Sequence, residues 1–403
     1  MINVAVLGFG TVGSGVVEII NNKDFSKKTG KDINVKKVLD IRTFEDSPYK
    51  DLITADFDSI LNDDEISIVV ETMGGTNPAY DFTKRSLLAG KSVVTSNKEL
   101  VATHGTELLK IAREKNVCYM FEASVGGGIP IIRPLGNCLA ANDINWIMGI
   151  LNGTTNYILT KMINDGDSFE NALSDAQAKG YAERNPAADV EGTDACRKIA
   201  ILASLAFGKF VNSREIPTEG ITNISLEDVK NAESIGHSIK LIGQCKKVGD
   251  EVFAKVSPVM LPPSNALSDV EGVFNGILVN GSATGDVMFY GKGAGKMPTA
   301  SAVVADVIDI VGHNGLGAPY WEDGGVLTSV NPDDTKLYVR VISDGAKSAV
   351  ADIFGEVQVL KDCCGEYAFI SGAGKECDLN KKADELKAKL GTDAVKNTIQ
   401  VIF

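Results

Sequence analysis

A chain of 403 residues, 44% hydrophobic and 23% charged, has room for two or three domains and a large buried core. Its formal net charge of −13 leaves no basic stripe for nucleic acid. No uninterrupted apolar run approaches the ~18–20 residues of a membrane span, and Met1 leads into a strand-like run without the basic start of a signal peptide. The seven cysteines, odd in number and without a C-x-x-C pair, read as reduced thiols of a cytoplasmic protein.

In chain order, Ile2–Leu7 is a buried strand by composition, and Thr11–Ile20 is a helix opening on the glycines of "LGFGTVGSGVVEII". A charged loop, Lys23–Lys31, leads to a second strand, Asn34–Leu39. "ISIVVETMGG" is strand then glycine turn. Asn77-Pro78 reads as a helix start, with Asn as N-cap and Pro at the first position, for a helix running to Gly90. "SVVTSN" is a strand, "KELVATHGTELLKIAREK" a helix and "VCYMFE" another strand. Strands alternating with helices of this length imply a parallel sheet covered on both faces.

That context gives the pattern Gly8-x-Gly10-x-x-Gly13 its weight. Gly8 permits the tight turn, Gly10 lets the backbone approach a pyrophosphate, and Gly13 lets the helix pack against the strand. The free N–H groups and dipole of the helix N-terminus favour the anion. The plainer alternative is a packing turn without a ligand. In "VLDIR" at the end of the second strand, Asp40 offers an acceptor for ribose hydroxyls, as NAD requires, and Arg42 suits the 2′-phosphate of NADP. Asp40 is the better placed of the two, which favours NAD.

Catalytic groups are expected after the nucleotide half. Lys98, next to the helix start Asn97, follows a strand end, where open sheets place ligands, although a surface lysine fits that position too. "FEASVGGGIPIIRPL" couples Glu122 to three glycines and a proline, so it can turn oxygens inward around a cation or act as a hinge. The densest polar cluster holds Glu183, Asp189, Glu191, Asp194 and Lys198 and runs into the apolar stretch Ile199–Phe207. Asp194 and Lys198 share a helix face. On a solvated helix they would form a minor salt bridge, but charges at the mouth of a buried helix need partners or a ligand. An amino acid suits such a place, its ammonium held by carboxylates and its reactive oxygen reached by lysine. His104, His237 and His313 lie outside these clusters.

Six motifs, collinear from residue 1 to about 313, together resemble homoserine dehydrogenase: "GFGTVGSGVV", "VVTSNKELVATHG", "FEASVGGGIPII", "LNGTTNYIL", "GYAERNPAADVEGTDACRK" and "GKGAGKMPTASAVVADV". The resemblance implies reduction of L-aspartate 4-semialdehyde to L-homoserine, towards threonine, methionine and isoleucine. It makes Lys98 and Lys198 catalytic and puts Thr154, Glu183, Asp189 and Asp194 at the substrate. Gly8, Gly10, Thr11, Val12, Gly13, Asp40, Arg42, Thr72, Gly74, Ser96, Lys98 and Gly295 would bind the dinucleotide. A monovalent cation, usually sodium, would sit at Glu122, Val125, Gly127 and Ile129, and a sheet of the middle domain would pair subunits into a homodimer. The residues support that chemistry: the developing alkoxide needs a proton, and Lys198 among carboxylates can supply it, a contribution on the order of 10²–10⁴-fold.

The expected architecture is α/β: a Rossmann-type parallel sheet over residues 1–130, completed by 298–320, and an α+β catalytic and dimerisation domain over 131–297. The segment 333–403 reads βαββαβ, the ferredoxin-like plan, and is similar to ACT-type domains that sense an amino acid such as threonine. Where those domains have Asp-x-Pro-Gly after the first strand, this chain has Asp344-Gly345-Ala346-Lys347, which puts effector binding in doubt. All six motifs lie upstream of Asp333, so residues 1–332 are expected to fold and work alone, and without a kinase-like segment the chain reads as the monofunctional form. Two rival readings are a dehydrogenase of another small amino or hydroxy acid and a non-enzymatic dinucleotide sensor. A sensor has no need of two lysines and four acids in substrate-like places.

Overall fold

The computed structural model describes residues 1–313, 319–363 and 365–402. The chain packs into two compact units. One is Met1–Asn145, Arg197–Arg214 and Asn280–Gly325; the other is Trp146–Cys196, Glu215–Val279 and Val326–Phe403. The boundaries therefore differ from those read off the sequence. The first unit also takes up the end of the polar-cluster helix, and the C-terminal segment shares a unit with the middle of the chain.

The first unit is built on β1 (Ile2–Leu7), β2 (Ile33–Leu39), β3 (Ile53–Thr54), β4 (Ile66–Glu71), β5 (Ser92–Thr95) and β6 (Tyr119–Met120). These strands pair in parallel in the order β3-β2-β1-β4-β5-β6, the order of succession turning back between β1 and β4. Val4, Val6, Val70 and Val94 are buried with Val16, Val17 and Ile20 of helix Thr11–Asn22. Ala300, Val303, Val304 and Val307 of helix Lys296–His313 join the same core. The two helices meet so closely that a Cβ on Gly15 would lie 2.9 Å from that of Ala300. The late helix thus packs into the core of the parallel sheet.

Two local expectations are corrected. The helix after β4 is Ala79–Leu88, preceded by Pro78 after a cis Asn77-Pro78 peptide, so Asn77 is not its N-cap. The charged loop after the first long helix contains a short helix, Ser26–Thr29.

The second sheet contains β7 (Ile144–Ile150), β8 (Ser238–Val248) and β9 (Glu251–Leu261). β10 (Phe274–Gly281) lies beside β7, and β11 (Gly285–Lys292) follows it in the chain. β8 and β9 form a long antiparallel hairpin, and β12 (Leu327–Thr328) pairs with β9. The C-terminal segment supplies β13 (Asp334–Ile342), β14 (Gln358–Cys363), β15 (Glu366–Ile370), β16 (Gly374–Lys375) and β17 (Val395–Val401), with helices Ala346–Phe354 and Glu376–Leu390. Its order β17-β13-β15-β14, antiparallel throughout, is that of a ferredoxin-like βαββαβ unit. β17 then pairs in parallel with β9, Gln400 opposite Val259 and Val401 opposite Met260, so the module extends the sheet.

Alternation along β13 explains the junction. Leu337, Val339 and Val341 face the two helices of the module in an apolar core. Tyr338 and Arg340 point the other way, to Asp228 of helix Leu226–Glu233. The fully buried Asp228 accepts from Arg340 Nε at 2.7 Å, Tyr338 Oη at 2.9 Å and Asn397 Nδ2 at 2.9 Å. A buried ion pair adds little against an apolar substitute, but breaking one by removing a single partner costs about 3–5 kcal/mol. Arg340→Met is expected to destabilise the second unit by that order, seen as a lower urea midpoint. Residues 1–332, which leave Asp228 without all three partners and bare the β9 edge, are expected to be at least as unstable. A soluble, cooperatively folded 1–332 chain would show that the junction is dispensable.

Candidate active site

The carboxyl ends of the central parallel strands carry the expected cofactor residues. Gly8 follows β1 at φ +93°, a conformation open chiefly to glycine, and its amide donates to Leu39 O at 2.8 Å. A Cβ on Gly13 would fall 1.9 Å from Gly8 O, so only glycine lets the helix start this close to the strand. Nothing lies within 4 Å of the corresponding position on Gly10, the N-cap of helix Thr11–Asn22, which has no side-chain cap. The turn is tight where it packs and open where a pyrophosphate would approach. Thr72 Oγ1 donates to Leu7 O and Gly8 O at 3.0 Å, tying the end of β4 to the glycine turn.

Asp40 and Arg42 form a bidentate pair. Asp40 Oδ1 accepts from Arg42 N and Nε, both at 3.0 Å. Oδ2 accepts from Arg42 Nη2 and Phe9 N, both at 2.8 Å. These bonds, led by the one from the Arg42 side chain, hold the Asp40 carboxyl well below the usual range. Arg42 remains exposed and its guanidinium lies 5.1 Å from the Phe44 ring centroid.

Sequence reasoning missed Glu71, the last residue of β4. It is fully buried, which pushes its carboxyl up, against the bonds from Thr95, Met73, Gly74 and Asn97 that favour the ionised form. Thr95 Oγ1 donates at 2.6 Å and Met73 N at 2.7 Å. Asn97 caps helix Lys98–Lys115 through Leu100 N, and its Nδ2 donates to Gly75 O at 2.6 Å. Glu71 therefore fixes the 72–75 turn, with Thr72 and Gly74, against Asn97, the cap of the Lys98 helix. Ser96 lies between them, its amide on Glu71 O at 3.3 Å. Gly295, at φ +115°, precedes helix Lys296–His313.

Lys198 is the second lysine. It is buried on helix Thr193–Phe207, one turn after the equally buried Asp194. Beside it, Arg197 Nη2 lies 3.2 Å from Glu99 Oε1, so an ion pair joins the neighbours of Lys198 and Lys98 within the first unit.

The carboxylates are organised by Asn152, another residue sequence reasoning missed. Its Nδ2 donates to Asp189 Oδ1 at 2.6 Å and to Asp194 Oδ2 at 2.9 Å. Its Oδ1 accepts from Thr155 N at 2.9 Å and Thr155 Oγ1 at 3.1 Å, capping helix Gly153–Asp165. The signal was available: Asn before a helix in "LNGTTNYIL" is an N-cap pattern. Thr154 Oγ1 donates to Tyr181 O at 2.7 Å, holding the loop that carries Glu183. Glu183 itself is exposed, outside the Asn152 cluster, and its carbonyl accepts from Gln177 Nε2.

In the glycine segment after β6 the Glu122 carboxylate is met by the chain's own donors. Oε1 accepts from Ile131 N at 2.6 Å and Ile132 N at 2.8 Å, and Oε2 from Arg133 N at 2.9 Å and Nε at 3.2 Å. Backbone amides reach it first because the Gly126–Gly128 turn folds the chain back upon it. A Cβ on Gly127, at φ +57°, would lie 2.2 Å from Gly293 O. Val125 and Ile129 are buried in the same turn. Among the described residues no group of three or more His, Cys, Asp and Glu side chains could hold a metal ion.

What the glycine turn and the strand-end pair are shaped to receive is a dinucleotide, and with two lysines at the polar clusters the class is that of a Rossmann-type nicotinamide-dependent oxidoreductase. Residues 8–122 match the family described as homoserine dehydrogenase, NAD binding domain, and residues 130–308 match the family homoserine dehydrogenase. The homoserine dehydrogenase of Corynebacterium glutamicum is 36% identical over 424 aligned positions, covering 99% of this chain and 95% of that one. The crystal structure of a homoserine dehydrogenase from Thiobacillus denitrificans superposes with a TM-score of 0.88 at 32% identity, covering 100% and 98% of the two chains. A hyperthermophilic archaeal homoserine dehydrogenase in complex with NADPH gives 0.65 at 29% identity, covering 76% and 97%. The chain belongs to the homoserine dehydrogenase family. It is an oxidoreductase that interconverts L-homoserine and L-aspartate 4-semialdehyde with a nicotinamide dinucleotide, in the biosynthesis of threonine, methionine and isoleucine.

The two glycines of the turn are separable by experiment. Gly13→Ala must force Gly8 O away, so a lower melting temperature and at least tenfold weaker NAD(P)H binding are expected together. Gly10→Ala meets open space and is expected to keep its melting temperature while weakening the dinucleotide alone. Fluorescence titration of the reduced cofactor and thermal melts distinguish the two.

Proposed function

We propose that Lys198 is the proton donor and acceptor at the substrate oxygen, with Asp189, Asp194, Thr154 and Glu183 holding the amino-acid end of the substrate. The observation that carries this reading is the buried arrangement of Asp194 and Lys198 on one helix, with Asp189 brought to Asp194 by Asn152. The bound dinucleotide supplies hydride to the aldehyde carbon, or takes it back from the alcohol. In reduction the carbonyl electron pair moves to oxygen, and Lys198 gives that oxygen its proton. In oxidation the unprotonated amine removes it. Lys98, at the N-terminus of its helix next to the cap Asn97, adds positive charge for the substrate carboxylate or the developing alkoxide.

Asp40 and Arg42 support use of both dinucleotides, with NAD favoured. All four acceptor directions of the carboxylate are filled, two of them by the Arg42 side chain. Ribose hydroxyls can displace that exposed side chain, whereas a 2′-phosphate can draw it away. The loop at Glu122, Val125, Gly127 and Ile129 suits a monovalent cation such as sodium. The Glu122 charge is already neutralised by Arg133 and three amides, leaving uncharged main-chain oxygens as ligands. Pairing into a homodimer through the second sheet is part of the same reading.

The βαββαβ unit supports an ACT-like role. Its helix starts at Ala346 directly after Gly345, without the proline that would fix the turn around an effector, so any response to an amino acid such as threonine is expected to be weak. Cys118, Cys138, Cys196, Cys245, Cys363 and Cys377 stand outside disulfides, in keeping with the cytoplasm.

Lys198→Arg keeps the charge but removes a usable proton, because guanidinium does not release one at working pH. The expected outcome is a fall in kcat of roughly 10²-fold or more with dinucleotide binding unchanged; near-normal turnover would remove Lys198 from the chemistry. Arg42→Ala is expected to weaken NADPH roughly tenfold or more, the worth of one charge-assisted contact, while NADH binds as well or better. Equal losses for both cofactors would place Arg42 away from the ribose.

A further inference from the structure

We infer that Asn152 is a positioning residue for the reaction, which sets the geometry and the charge of the Asp189–Asp194 pair through its carboxamide. The inference rests on the proposed role of those two carboxylates at the substrate.

The hydrogen bonds leave no ambiguity about which way the amide points. Thr155 N is an obligate donor, so the atom facing it at 2.9 Å is the amide oxygen. The nitrogen then faces Asp189 Oδ1 and Asp194 Oδ2 and gives each one hydrogen. Asn152 is buried, as is Asp194. Two carboxylate oxygens gathered around one buried nitrogen repel each other, and each tends to take up a proton unless something favours its charged form. A donor shared between them does so without adding positive charge. Being neutral, the amide leaves the formal charge of the pair unchanged. The oxygen of the same amide is fixed by the first turn of helix Gly153–Asp165, so the pair is held from a rigid element. Gly153 makes this possible: a Cβ there would lie 2.7 Å from Val273 O.

The cap and the donation can be separated. Serine caps a helix about as well as asparagine, but its hydroxyl cannot serve both carboxylates. Asn152→Ser is therefore expected to keep its melting temperature near that of the wild type. Its kcat/KM for aspartate-semialdehyde reduction should fall at least tenfold, the loss of one or more charge-assisted bonds. The acid limb of the pH profile should move to higher pH, because carboxylates deprived of their donor protonate more readily. Dinucleotide binding should not change. Asn152→Ala should show the same kinetic change with a lower melting temperature. If Asn152→Ser restores wild-type kinetics and pH profile while Asn152→Ala does not, the residue is only a cap and the inference is overturned. Asp189→Asn and Asp194→Asn, measured alongside, keep the two levels apart. Wild-type kinetics in both would overturn the reading of the substrate site itself. Impaired kinetics there with a normal Asn152→Ser would overturn only the positioning role.

Discussion

Burying a carboxylate is costly unless N–H groups or cations surround it, and this chain does so wherever the site is assembled. Glu71 is fully buried at the end of β4, Glu122 is 1% exposed after β6, and Asp194 is 5% exposed at the head of its helix. Each accepts from donors outside its own helix or strand. A carboxylate accepts four hydrogen bonds in defined directions, so it locks several strands of chain at once. Glu71 holds the turn beside the glycine loop to the cap of the Lys98 helix, and Glu122 collects the amides of Ile131, Ile132 and Arg133. The cofactor turn and the lysine helix depend on these anchors more than on the apolar packing beneath them, which many side chains of similar volume could supply.

This division explains what was legible in the sequence. The strand–glycine–helix opening is local: the spacing of Gly8, Gly10 and Gly13 and the apolar run before them carry the whole argument, and the close approach at Gly13 is its physical basis. The helix Lys98–Lys115 and its Asn97 cap are local in the same way. Glu71 was not legible. Its partners Thr95 and Asn97 lie 24 and 26 residues on, and nothing within its own strand distinguishes a buried acid from a strand-end acid facing water. Asn152 was half legible. Its cap to Thr155 is a three-residue pattern, but its donation to Asp189 and Asp194 spans 37 and 42 residues.

Glu122 and the Asp40–Arg42 pair show a second limit, which concerns competition for the same atoms. Glu122 reads by residue type as an oxygen ligand, yet its carboxylate faces the chain's own amides. Asp40 and Arg42 read as opposing indicators of NAD and NADP. In the structure they are one bidentate unit, further anchored by Phe9 N in the glycine turn. Charges of opposite sign two residues apart at a strand end find each other before any ligand arrives. On the cofactor reading proposed above, the choice between NAD and NADP would turn on the difference between breaking that pair for two hydroxyls and breaking it for a phosphate.

The same reasoning bears on the C-terminal module. Its apolar core is self-contained, as expected of a βαββαβ unit, and by that measure alone it would be separable. Its other face is not. Tyr338, Arg340 and Asn397 all converge on Asp228, and the backbone of β17 continues into β9. Asp228 also closes the capping box of helix Leu226–Glu233 with Ser225, so the residue that fixes the start of that helix is the one the module neutralises. Any change in β13 or β17 that displaces Arg340 or Asn397 must therefore act on this helix, which packs against helix Gly153–Asp165, the helix capped by Asn152. A path of packed elements within one unit thus runs from the module to the amide that gathers Asp189 and Asp194.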